Sequence, residues 1–90
     1  MPKYQIAIRV TSVSGFDETA FAVFRSWLDQ FDCAVWQVDN DEEDVAVNML
    51  VETADQWLAM DMVESRVVAA LDQAEISDCK TKIEFRERID

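Results

Sequence analysis

Apolar and polar side chains alternate without a break from residue 4 to residue 10. Tyr4, Ile6, Ile8 and Val10 fall on one side, and Gln5, Ala7 and Arg9 on the other. A period of two predicts a strand buried on one face. Val13 can extend it past Ser12, and Ser14-Gly15, with the only glycine in the chain, ends it. The period then changes. Phe21, Phe24, Leu28 and Phe31 recur at helical spacing, with Ala20 and Trp27 beside them. They predict a core-facing helix that runs to about residue 30. Asp17-Glu18 puts negative charge at its start, where the helix dipole favours it, and either Ser14 or Asp17 suits the N-cap. An aromatic stripe of this kind belongs to a core rather than to a cofactor box.

The middle of the chain, residues 33–53, holds two apolar alternating runs around an acidic turn, Asp39-Asn40-Asp41-Glu42-Glu43-Asp44. This predicts a central β-hairpin. In its first strand, residues 33–38, Ala34, Trp36 and Val38 compete with Cys33 and Val35 for the inside, and the reading places Trp36 inward. In its second, residues 44–52, Val45, Val47, Met49 and Val51 oppose Ala46, Asn48, Leu50 and Glu52. Both sets are partly apolar, which suits a central strand. Thr53-Ala54-Asp55-Gln56 reads as a capping box, with Thr53 as N-cap. The helix it opens is expected over residues 54–74. Met60, Val63, Val67, Ala70, Leu71 and Ala74 form its buried stripe, and Trp57, Leu58 and Met62 widen it. After a connector, a last strand over residues 79–89 sets Ile83, Phe85 and Ile89 on one side and Lys80, Lys82, Glu84, Arg86 and Arg88 on the other.

The predicted order, β-α-β-β-α-β, resembles the ferredoxin-like plan. The resemblance is architectural and spans the whole chain, residues 1–90, as one α+β domain. It implies a four-stranded antiparallel sheet of order 4-1-3-2 with both helices on one face. No family motif accompanies it, and so common a fold says little about function.

That order makes the first and last strands neighbours. Their helix-free faces are then expected to carry Lys3, Arg9, Lys80, Lys82, Arg86 and Arg88, around a centre of Ala7, Ala46, Leu50 and Val35. The expectation is a basic open sheet inside an acidic envelope of helices and turns. Ferredoxin-like RNA binders stack bases on exposed sheet aromatics. The outward positions of the first and third strands are Ala7, Arg9, Ala46, Asn48 and Leu50, which offer no such platform.

Charge changes the picture more than any motif does. Nineteen acids face eight bases, a formal net charge of −11. Such a field repels nucleic acid and anionic membranes and favours basic partners. With 50% hydrophobic residues the chain is nonetheless a folding sequence, unlike a disordered acidic tail. No apolar run approaches the ~18 residues of a membrane span. Met1-Pro2-Lys3-Tyr4 has no signal-peptide character, so a cytoplasmic location is expected.

Candidate chemistry is sparse. There is no histidine, which removes the usual general base and triad partner. One glycine cannot build a phosphate-cradling loop. Cys33 and Cys79 lack a CxxC partner and are expected on opposite sheet edges, too far apart for a disulfide. Asp39, Asp41 and Glu43 mimic the opening of a calcium loop, but its sixth position is Asp44 and its twelfth is Leu50. No metal, no cofactor and no enzymatic activity is expected.

What remains is a small acidic binding protein. Its leading form is an inhibitor that mimics nucleic acid and fills the basic groove of a nucleic-acid-binding target, of the phage anti-restriction or anti-CRISPR type. The expected contacts are Asp39, Asp41, Glu42, Glu43 and Asp44 on the turn and Asp55, Asp61 and Glu64 along the second helix. The alternative is a homodimeric regulatory or scaffold module that packs through the open sheet. There the residues are Arg9, Leu50, Lys80, Lys82, Arg86 and Arg88.

Overall fold

A computed structural model describes residues 1–38 and 43–89 of the chain. The elements are β1 (Lys3–Ser12), α1 (Glu18–Leu28), β2 (Cys33–Gln37), β3 (Asp44–Glu52), α2 (Gln56–Gln73) and β4 (Cys79–Arg88). All three strand pairings are antiparallel. The order across the sheet is β2-β3-β1-β4. Counted from the β4 edge, the same order reads 4-1-3-2.

One face of the sheet is closed. Tyr4, Ile6, Ile8 and Val10 of β1 and Val45, Val47, Met49 and Val51 of β3 are buried, and they share one core with Phe24 and Leu28 of α1 and Ala59, Val63, Val67, Ala70 and Leu71 of α2. The alternate residues of both strands are half-buried or exposed. Phe16, which the helical spacing does not single out, is also buried. It stands just before the N-cap of α1, and its ring lies 5.7 Å from that of Phe24. That contact folds the residue before the helix back onto the buried side of α1.

The helix ends differ from expectation in instructive ways. Asp17, not Ser14, caps α1, its carboxylate accepting from the Ala20 N–H at 2.7 Å. The helix stops at Leu28 rather than about residue 30, with Asp29 as C-cap. The capping box read at Thr53 does not form. Thr53 is buried and its N–H donates to the Pro2 carbonyl at 3.2 Å, so just past β3 the chain is still tied to the segment that leads into β1. Asp55 takes the cap two residues later and accepts from the Leu58 N–H at 2.9 Å.

The C-terminus of α2 closes with the Ile76 N–H bonded to Leu71 O at 3.0 Å and the Glu75 N–H to Asp72 O at 3.1 Å. This paired closure requires a left-handed residue between them. Glu75 fills that place at φ 58, where glycine is the unstrained choice.

Candidate functional site

The register maps the helix-free face row by row, because residues directly opposite in an antiparallel pair share a face. One row across the sheet is Trp36, Ala46, Arg9 and Lys82; the next is Ala34, Asn48, Ala7 and Phe85. Trp36 therefore points out, not in. It is 46% exposed, while Cys33 and Val35 pair with Met49 and Val47 and turn toward the core. The expectation that put Trp36 inside and Val35 on the open face is reversed. β2 is an edge strand of five residues. Its two candidate faces are almost equally apolar, so the pattern alone could not choose, and the pairing with β3 chooses for it.

β4 holds the larger surprise. Ile83 pairs with Ile8, but Phe85 pairs with Ala7, so Glu84 is an extra residue in the strand. Such a bulge inverts the alternation beyond it. Lys80 and Lys82 lie on the open face as expected. Arg86 and Arg88 do not; they pair with Ile6 and Tyr4 and so fall on the helix side. The Arg86 guanidinium sits 5.8 Å from the Trp57 ring centroid and 3.9 Å from Met60 Sδ, both on α2. Phe85 moves the other way and is 46% exposed on the open face.

The bulge also changes the electrostatics. Arg9 Nε lies 2.8 Å from Glu84 Oε1, although its N–H is not aligned for a hydrogen bond, and Arg9 Nη1 lies 3.8 Å from Asp44 Oδ2. Thr11 donates to the same Asp44 carboxylate at 2.7 Å. Lys3 pairs with Glu52 at 3.5 Å. With Glu87, opposite Gln5, and Asp32, bonded through its carbonyl to the Leu50 N–H, the described residues of the face carry five carboxylates (Asp32, Asp44, Glu52, Glu84, Glu87) against four cations (Lys3, Arg9, Lys80, Lys82). The expected basic open sheet is thus a nearly balanced one, with one carboxylate in excess. Small apolar residues stand at its centre, Ala7 and Ala46, and on the β2 edge, Ala34, and Asp32, Leu50 and Ile89 border a shallow depression at one end.

The other fourteen acids and four bases of the chain account for all but one unit of the net charge of −11. Asp61, Glu64 and Asp72 are exposed on α2, and Asp55 is exposed at its cap. The single base of α2, Arg66, is drawn aside: its guanidinium stacks 4.2 Å from the Phe31 ring centroid. The outward face of α2 from Asp61 to Asp72 is therefore anionic, and the Arg86 guanidinium of β4 reaches its N-terminal end at Trp57. Asp61, Glu64, Ser65 and Val68 border a shallow depression on it. Trp57, 68% exposed, and Leu58 stand at its N-terminal end. Of the acidic-turn residues, Glu43 is exposed and Asp44 is tied to Arg9 and Thr11. Asp39, Asp41 and Glu42 lie outside the described residues.

Neither thiol is primed as a nucleophile. Cys33 and Cys79 are half-buried on opposite edge strands. Burial pushes both thiols up, helped at Cys33 by Asp29 and Asp32 and at Cys79 by Asp78. A small polar cluster ties the β1–α1 turn to the start of β4. Ser14 Oγ donates to the Asp78 carboxylate at 2.9 Å, the Ser14 N–H adds a bond of 3.2 Å, and buried Ser12 donates at 3.1 Å. The Ser14 hydroxyl, followed by Ser12 and the Ser14 N–H, holds the Asp78 carboxyl below its ordinary value. With no base near the hydroxyls, the cluster staples rather than reacts. Among the described residues no helix is long and apolar enough to cross a membrane.

No protein-family model matches the chain, and a comparison with curated proteins finds no match.

Proposed function

We propose that the protein is a non-enzymatic binding protein that presents the anionic face of α2, with the neighbouring helix and turn carboxylates, to a basic protein surface. The observation that carries this reading is the segregation of charge. The sheet face nearly balances its four cations with five carboxylates, while the stretch of α2 that shows Asp61, Glu64 and Asp72 carries no cation of its own beyond Arg66, which is drawn to Phe31; Arg86 of β4 reaches only its N-terminal end, at Trp57 and Met60. A basic surface that meets Asp61, Glu64 and Asp72 feels a net attractive field, which speeds encounter and makes it salt-sensitive. Trp57, 68% exposed with the Arg86 guanidinium beside its ring, supplies what charge alone lacks, an aromatic surface that a partner's own cation could compete for. The target class is a protein whose groove normally grips phosphates, because such grooves pair clustered cations with places for flat rings. The protein then acts as an inhibitor that excludes nucleic acid by occupying its groove. The ferredoxin-like arrangement serves as the rigid frame, and the cytoplasm, where such targets work, is the proposed compartment.

The test is capture from host lysate on the immobilised protein at low salt, followed by elution with short duplex DNA. The reading expects a nucleic-acid-binding protein that the duplex displaces. A captured partner indifferent to both duplex and salt contradicts it.

A further inference from the structure

One end of the anionic helix already holds a cation. We propose that Trp57 and Met60 form a guanidinium site, that Arg86 occupies it in the free protein, and that an arginine of the basic partner takes its place on binding. This rests on the proposed use of α2 and deepens it, naming the side chain that is recognised and the internal group that competes for it.

The contacts of Arg86 single it out. The chain has nineteen acids, yet among the described residues Arg86 makes no ion pair. Its guanidinium lies instead 5.8 Å from the Trp57 ring centroid and 3.9 Å from Met60 Sδ. Trp offers a cation the best of the aromatic faces, and a planar, weakly hydrated guanidinium stacks on it more readily than an ammonium does.

Arg66 shows the same pair of groups put to structural use. It lies 4.2 Å from the Phe31 ring centroid and 3.7 Å from Met49 Sδ. Arg66 and Phe31 are half-buried there, and Met49 is fully buried. At Arg86 the ring is farther off, close to the roughly 6 Å reach of such an interaction. Both Arg86 and Trp57 are exposed. The close, half-buried pair is fixed, and the loose, exposed one is exchangeable.

Exchange has a direction. Asp61 and Glu64, four and seven residues beyond Trp57, continue its stripe along α2, and both are exposed. Arg86 reaches the ring from β4, beside Met60, and pairs with neither carboxylate. A partner lying along α2 brings cations to those carboxylates and a guanidinium to the ring in one register. Arg86 gives up only an exposed contact and returns to water.

The experiment is calorimetric titration of the full chain, at low and at high NaCl, with two end-blocked octapeptides, one of arginine and one of lysine. The wild type is compared with Trp57→Ala, with Arg86→Lys, and with the double reversal Asp61→Lys and Glu64→Lys. Far-UV circular dichroism confirms that each is folded. The lysine peptide has the charge without the planar group, and Arg86→Lys keeps the protein's charge while removing the stacked guanidinium. The arginine peptide is expected to bind more tightly than the lysine one, and Trp57→Ala to remove most of that margin. Arg86→Lys is expected to tighten the arginine peptide about two- to fivefold, the size of an exposed contact of this kind. An unchanged margin in Trp57→Ala overturns the inference, as does an Arg86→Lys protein that binds no better than the wild type. If the double reversal still abolishes binding in that case, the carboxylates of α2 stand as the docking surface and only the guanidinium site falls. Binding of neither peptide by any form also overturns the inference, and capture from lysate then judges the proposed function on its own.

Discussion

Glu75 and Asp78 show how single residues close this fold. At Glu75 the α2 C-terminus needs a left-handed backbone, and the chain supplies a residue with a Cβ at φ 58. That conformation costs an L-residue roughly 1–2 kcal/mol, part of which glycine regains against its greater freedom when unfolded. Glu75→Gly is therefore expected to stabilise by about 0.5–1 kcal/mol, seen as a higher urea midpoint at unchanged slope. A lower midpoint would mean that Glu75 is not strained. At Asp78 the argument is one of pH. Hydrogen bonds from Ser14 and Ser12 hold its folded carboxyl below the ordinary value. A group depressed on folding contributes stability that is complete above its unfolded pKa and is lost as pH falls through the folded one. Between pH 5 and 2, Asp78→Asn should lose stability less steeply than the wild type, in denaturation curves taken at each pH. Parallel losses would remove Asp78 from the acid limb.

The regular elements were legible because each had a clean period. The alternation of β1 and β3 and the Phe24, Leu28, Val63, Val67, Leu71 spacing of the helices lead to the observed core. The failures fall on the two edge strands. β2 offers two nearly equal faces, and only its pairing with β3 turns Trp36 outward. β4 hides a bulge with no glycine to announce it. Glu84 is accommodated because Arg9 stands beside it, a partner 75 residues away that no local pattern can show. The helix-start error has the same origin: Thr53 has a capping residue's side chain, but its N–H is claimed by Pro2. These differences have an energetic signature. If β4 alternated strictly, Phe85→Ala would open a core cavity and cost about 3–5 kcal/mol. With Phe85 46% exposed, the expected cost in the dilute protein is under about 1 kcal/mol. Phe24→Ala, fully buried, is the reference for the larger loss. Equal losses for the two would place Phe85 in the core and remove the bulge.

For the whole molecule, composition announced acidity but not its placement. The expected polarity was a basic sheet against acidic helices. The structure keeps the acidic helices and cancels the basic sheet, because the bulge sends Arg86 and Arg88 to the helix side and brings Glu84 to Arg9. A molecule built this way has one nearly balanced face and one anionic one, and salt should weaken the attraction of a basic partner to α2. No inspection of residue counts shows that placement, since it depends on which strand faces which.

The most direct test of the central claim is a comparison of captured partners on three immobilised forms of the protein. These are the wild type, the α2 charge reversal Asp61→Lys with Glu64→Lys, and the sheet-face variant Leu50→Arg, each eluted by a rising salt gradient. The account predicts that the wild type and Leu50→Arg retain the same duplex-displaceable partner to the same salt. It predicts that the double reversal releases that partner at the start of the gradient, while circular dichroism shows it folded. A partner lost by Leu50→Arg and kept by the double reversal would contradict the account, because binding would then belong to the open sheet face and not to the carboxylates of α2.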